Sequence, residues 1–179
     1  MSTVAASDVD REALPQELEE IFRKHYQLVY RTAYSVTGST EDAEDVLQSL
    51  FLRLIGRGFP ADLKKNPKGY LYRAAFNLSL NVLRSRKRHP SAGAVEHGET
   101  AAPTTDSEFA EEMDKCLREA IAHLHPNAAQ ILILRYVHNC SDTEIAKLLG
   151  TSRGTIAVSL FRSRARLKKL IRQRLGEKV

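Results

Sequence analysis

The sequence predicts an all-α fold of two small helical domains joined by a flexible linker, and three observations predict it. Apolar residues recur at three- and four-residue intervals from Leu18 to Arg88 and again from Phe109 to Leu175, the period of a helix face. No convincing run of alternating β-branched residues, the mark of a half-buried strand, occurs anywhere. Between the periodic stretches, "HPSAGAVEHGETAAPTTDSEFAE" carries two prolines, two glycines and many small or acidic residues without periodicity, the composition of a linker. The expected division is a tail over 1–17, a first domain over 18–88, a linker over 89–111 and a second domain over 112–175.

Each element has a local cause. In the first domain, Ser39 is placed to cap a helix beginning at Thr40, with Glu41 and Asp42 in its positive first turn. Val46, Leu47, Leu50, Phe51, Leu54 and Ile55 share one face, which should be buried, while Asp42, Asp45, Gln48 and Ser49 point elsewhere. Gly56 and Gly58 are the expected stop. Pro67 opens the next helix, at a position where its missing N–H costs nothing. Leu71, Ala74, Ala75, Leu78 and Val82 form its buried stripe. Opposite them, Tyr70, Arg73, Asn77, Asn81, Arg84 and Arg88 make a continuous polar ridge tipped by an aromatic ring. Asparagine is a poor helix former, so two of them in mid-helix suggest more than a solvated face: amides, guanidinium groups and a stacking ring turned to nucleic acid.

In the second domain, "SDTEIAKLLG" begins with a capping box, Ser141 bonding the first turn and Glu144 reaching back. Ile145, Ala146, Leu148 and Leu149 give it an apolar face, and Gly150 permits the left-handed turn that stops it. Ser152 or Thr151 then caps a further helix with Ile156, Leu160, Leu167 and Ile171 as its buried positions. Two short helices across a Gly-containing turn make a helix-turn-helix. The arginines at 162, 164 and 166 suit a second helix whose N-terminal end enters a major groove and whose remainder lies near phosphates.

Composition excludes several classes of function. The net charge of +5 hides an alternation, with two acidic blocks at 1–58 and 89–114 and two basic blocks at 59–88 and 115–179. Two basic blocks flanking an acidic spacer suggest two contacts with one extended polyanion. No apolar run approaches the roughly 20 residues that span a bilayer, and the acidic N-terminus lacks the features of an export signal, so no membrane insertion and a cytoplasmic location are expected. Two cysteines, Cys116 and Cys140, are too few for a disulfide framework. The pairs His123 with His125 and His138 with Cys140 lack the spacing of a metal site, so neither a metal nor another cofactor is expected. Nor is there a Gly-rich phosphate loop, a nucleophile motif or a paired acid–base set, and the chain is not expected to be an enzyme.

With these residues in place, the sequence resembles the sigma factors of bacterial RNA polymerase, in particular the short extracytoplasmic-function (ECF) group with only sigma regions 2 and 4. "DAEDVLQSLFLRL" is similar to the family's D-A-E-D-L-V-Q-E-T-F-L-R, and "PKGYLYRAAFNLSLNVLRSRKR" to its P-x-x-W-L-Y-R-I-A-x-N-x-x-x-D-x-x-R-x-x-R-R. "SDTEIAKLLGTSRGTIAVSLFRSRARL" is similar to S-Y-x-E-I-A-x-x-L-G-x-S-x-G-T-V-K-S-R-L-x-R-A-R-x-x-L. The resemblance implies a factor that directs core polymerase to promoters and helps to open them, with core polymerase and promoter DNA as partners and an inhibitory anti-sigma protein as a further one. It implies that Asp42, Glu44, Asp45 and Gln48 bind the polymerase. Lys64, Lys65, Asn66, Lys68, Tyr70, Arg73, Asn77, Asn81 and Arg84 would hold the minus-ten element. Ser152, Arg153, Thr155, Ile156, Ser159, Arg162, Arg164 and Arg166 would meet the minus-35 element. The alternative from another class is a stand-alone helix-turn-helix regulator whose first domain senses a ligand or dimerises.

Two departures carry consequences. Tyr70 stands where the family has tryptophan, and Ala157, Val158 and Ser159 stand where it has K-S-R. Two common DNA-contacting cations are thus absent, and an Arg bidentate to guanine typically contributes ~1–3 kcal/mol of discrimination. A 23-residue coil spans about 26 Å on average, whereas elements a turn and a half of duplex apart lie ~50 Å from each other. Simultaneous binding therefore calls for a partner that holds the domains apart.

Overall fold

The structure is a computed structural model that describes residues 8–88, 118–119 and 121–174, with no side chains described for 8–15, 87 and 174. The expected linker 89–111, Cys116 and the first seven residues lie outside the described residues. All regular structure among the described residues is helical: α1 (Asp8–Thr37), α2 (Thr40–Arg57), α3 (Ala61–Lys65), α4 (Pro67–Arg88), α5 (Pro126–Tyr136), α6 (Asp142–Leu149) and α7 (Arg153–Arg174), besides the helical residues 118, 119, 121 and 122. α1 begins ten residues before the boundary expected at Leu18.

The first bundle forms because α1, α2 and α4 each offer one apolar stripe and pack pairwise along it. Val29, Ala33, Val46, Leu50, Phe51, Leu54, Leu63, Leu71 and Ala75 fill its centre. Each large aliphatic side chain buried there stabilises the fold by about 1.5–3 kcal/mol relative to exposure. Ser39 caps α2 as expected, its Oγ accepting from the Asp42 N–H. Ile55, expected on the buried face, is 56% exposed, as is Leu52 at 57%. The α2 stripe is narrower than six apolar residues, because α1 and α4 cover only the side carrying Val46, Leu50 and Leu54. Gly56 likewise lies inside α2, and only Gly58, with φ of 74°, forms its end.

The second bundle is built around α5. His125 caps it with Nδ1 accepting from the Asn127 N–H, and Pro126 follows as its first residue. Four consecutive residues, Ile131 to Leu134, are buried. A helix buried all round needs neighbours on opposite sides. α6 and α7 supply one side, and the first bundle supplies the other.

That second neighbour is what the sequence reading did not anticipate. Val36, Tyr72 and Phe76, from the first bundle, belong to the same apolar cluster as Leu132, Ile133, Ile145, Ile156 and Leu160, with Leu28, Leu80 and Leu83 against its edge. α4 therefore buries two stripes, one in each bundle. Polar contacts seal the junction: the Tyr72 hydroxyl donates to the Gln130 carbonyl at 2.6 Å, Arg31 Nη2 to the Val137 carbonyl at 2.6 Å, and Arg73 Nη1 to the Leu148 carbonyl at 3.0 Å. The last two carbonyls lie at the C-terminal ends of α5 and α6, where partial negative charge favours a cation. Gly69 permits the approach of α4 to α6, since a Cβ there would lie 2.7 Å from the Leu148 carbonyl oxygen.

Candidate nucleic-acid interface

The helix-turn-helix is set by local hydrogen bonds. Ser141 Oγ accepts from the Glu144 N–H at 3.3 Å and the Glu144 carboxylate accepts from the Ser141 N–H at 2.8 Å, completing the capping box that opens α6. These bonds hold the Glu144 carboxyl below its ordinary range. Gly150 ends α6 in the left-handed conformation, φ 69° and ψ 40°. Ser152 starts α7, its Oγ accepting from the Thr155 N–H at 3.1 Å and lying 2.8 Å from the Thr155 hydroxyl. α7 seats Ile156 and Leu160 in the core, and Ser163 beside them.

Its other face is free. Ser152, Arg153, Thr155, Arg162, Arg164 and Arg166 are exposed and Ser159 is half-buried, whereas Ile156, included among the expected DNA contacts, is fully buried. Ile156 cannot be both a core residue and a base contact, and the core holds it. Arg164 is committed in part to Tyr136: its Nε donates to the phenol oxygen at 2.6 Å and its guanidinium lies 5.7 Å from the ring centroid. Val158 and Phe161 are exposed, by 50% and 76%.

On α4 the expected ridge divides. Asn77, Asn81, Arg84 and Arg88 are exposed, Tyr70 is half-buried, and Arg73 is drawn to Leu148. Lys64, Lys65 and Lys68 stand exposed at the α3–α4 corner, but Asn66 turns inward and its Oδ1 accepts from the Gly69 N–H at 2.9 Å. On α2, Glu44, Asp45 and Gln48 are exposed, continued by Leu52 and Ile55. Asp42 instead pairs with Arg86 at 2.6 Å, and burial holds its carboxyl above its ordinary range despite that cation.

One residue whose titration the fold displaces strongly was not singled out for this from sequence. His138 lies at the junction, Nε2 2.8 Å from the Thr32 hydroxyl and its ring edge-on to Tyr72. Burial, then the nearby Arg31 and Lys68, lowers its pKa to about 4. The Thr32 hydroxyl donates to the Leu28 carbonyl at 2.7 Å, which leaves it to accept from a neutral Nε2–H tautomer. Among the described residues no group of three or more His, Cys, Asp or Glu could hold a metal. No described helix is long and apolar enough to cross a membrane.

Comparison with known proteins identifies the family. Sigma-70 region 2 matches residues 21–89 and sigma-70 region 4 matches residues 114–167, so two parts of one family cover more than half of the chain in their proper order. The chain belongs to the extracytoplasmic-function group of the sigma-70 family. It is 28% identical over 172 residues to the ECF RNA polymerase sigma factor SigE of Mycolicibacterium smegmatis, covering 94% of this chain and 66% of that protein. It is 26% identical over 174 residues to the ECF RNA polymerase sigma factor SigW of Bacillus subtilis, covering 91% of each. The fold is similar to that of the sigma factor RpoE, solved with the anti-sigma factor NepR from Bartonella quintana, with a TM-score of 0.51 at 19% identity over 88% of this chain and 98% of that one. In this sigma factor, α2 and α4 fall in region 2, and the helix-turn-helix falls in region 4.

Proposed function

We propose that this chain is a non-catalytic, cytoplasmic initiation factor that carries core RNA polymerase to particular promoters and helps to open them. Membership of the family supports the general activity. The observation that carries the residue assignments is the presence, in one chain, of two exposed, cation-bearing helix faces on α4 and α7 beside an acidic face on α2.

Glu44, Asp45 and Gln48 form the polymerase-docking surface, and Leu52 and Ile55 extend it with apolar area that a partner would cover. Asn77, Asn81 and Arg84, with Tyr70 and the lysines at 64, 65 and 68, hold the opened minus-ten strand. Stacking on the Tyr70 ring and hydrogen bonds to the amides replace base stacking, an exchange of a few kcal/mol per base. Arg153, Arg162 and Arg166 place α7 on phosphates, a salt-sensitive contribution that is indifferent to sequence. Arg73 can join the minus-ten surface only by leaving the Leu148 carbonyl. Promoter engagement by both domains at ~50 Å separation therefore requires the junction to part, and an anti-sigma protein that kept it shut would inhibit.

Reconstituted transcription with purified core polymerase tests the reading. Start-site-specific transcripts that disappear at raised salt are expected, with weak promoter binding by the chain alone. Failure of the full chain to bind core polymerase would remove the proposal.

A further inference from the structure

The outer face of α7 carries an unusual surface for a helix read as a DNA contact. Its buried stripe is Ile156, Leu160 and Ser163, with the half-buried Leu167 packed against the same core. On the opposite side Ala157, Val158 and Phe161 are exposed, Phe161 by 76%, and they follow one another at helical spacing. Cations at 162, 164, 166, 168 and 169 surround the stripe. A partner matching this pattern has anionic groups at its edges and apolar groups at its centre.

Duplex DNA meets that description in one way. Phosphates rim the major groove, and the apolar group on its floor is the C5-methyl of thymine. The polar side chains at the start of α7 offer little competition as readers, since the Ser152 and Thr155 hydroxyls are joined to each other and to the helix end. Ile156 is buried. The distance along the axis from Ala157 to Phe161 is about 6 Å, close to two base steps of about 3.4 Å.

We propose that Ala157, Val158 and Phe161 select thymines at adjacent positions of the upstream promoter element by packing on their C5-methyl groups. This rests on the reading of α7 as the helix that enters the major groove. It assigns the specificity left vacant by the missing cations to apolar contact.

The test uses holoenzyme assembled from the full chain, and an upstream element selected by it from a random pool. Each thymine in that element is then replaced by deoxyuridine, which keeps base pairing and removes only the methyl. Binding is expected to weaken about fourfold for each contacted methyl. The V158S/F161A double variant should lose most of this discrimination, keeping no more than the contact that Ala157 makes. Both side chains are exposed, so an unchanged melting temperature will show that the variant is folded. Equal binding of the two templates by the unaltered protein, or a selected element without thymine, overturns the proposal while specific initiation leaves the sigma-factor reading intact. Loss of core-polymerase binding in the double variant also overturns it, because the stripe would then face protein. Absence of initiation on every template would instead count against the underlying reading.

Discussion

α4 and α7 are both 22-residue helices rich in arginine, and both are read as DNA contacts, yet they are used in opposite ways. α4 is gripped from two sides, with Leu71 and Ala75 in the first bundle and Tyr72 and Phe76 in the second cluster. α7 is held from one side, leaving Phe161 and Val158 in solvent. A helix that joins two cores gains stability and loses free surface, as Arg73 illustrates. A helix held along one stripe keeps a whole face for recognition.

Substitutions can break or sharpen this contrast. The largest effect is expected from Tyr72→Ala, which empties a fully buried aromatic site and leaves the Gln130 carbonyl without its donor. A loss of about 3–5 kcal/mol in urea unfolding is expected. Tyr72→Phe should cost only about 1 kcal/mol.

Acid comes next, through His138. Its folded pKa of about 4 lies below the ordinary 6.5, so the unfolded chain takes up the proton first. Stability is full above pH 6.5 and falls as the pH drops toward 4. Partial exposure reduces the total, which should be on the order of 2 kcal/mol. His138→Gln should flatten urea midpoints measured across that window, and an unchanged slope would mean that other groups titrate there.

Gly69→Ala comes third. The added Cβ meets the Leu148 oxygen and the Asn66 amide, forcing α4 from α6 at a cost of about 1–3 kcal/mol. The same variant should accelerate hydrogen exchange at the junction amides. Phe161→Ala completes the contrast, with a thermal midpoint shift equivalent to less than about 0.5 kcal/mol. A large destabilisation there would mean that α7 is held from more than one side.

The parts of the fold written in nearest neighbours were legible. The Ser39 cap, the Ser141–Glu144 box, the Gly150 turn and Pro67 at the head of α4 are short-range hydrogen-bond and dihedral devices, and each occurs where its residues predict. The second stripe of α4 was not read, although Tyr72, Phe76, Leu80 and Leu83 repeat at helical spacing. Its partner lies some 60 residues away, and Tyr70 and Arg73 drew attention to the polar residues between. The same blindness to distant partners placed Ile55 inside, whereas helix phase put Ile156 in the core and only the family resemblance put it on the DNA. At the candidate sites, exposure of Glu44, Asp45, Asn77, Asn81 and Arg162 follows from helix phase alone. The inward turn of Asn66 is a local bond to the N–H three residues on that was not read, whereas the capture of Arg73 and Asp42 depends on residues that only the folded chain brings near.

Since Tyr72 and Phe76 of the N-terminal half lie in the oily interior of the C-terminal half, the halves should not melt in turn. Heating the intact chain in a calorimeter should give one endotherm, and a chain severed between residues 89 and 117 should leave two fragments that still elute together from a sizing column.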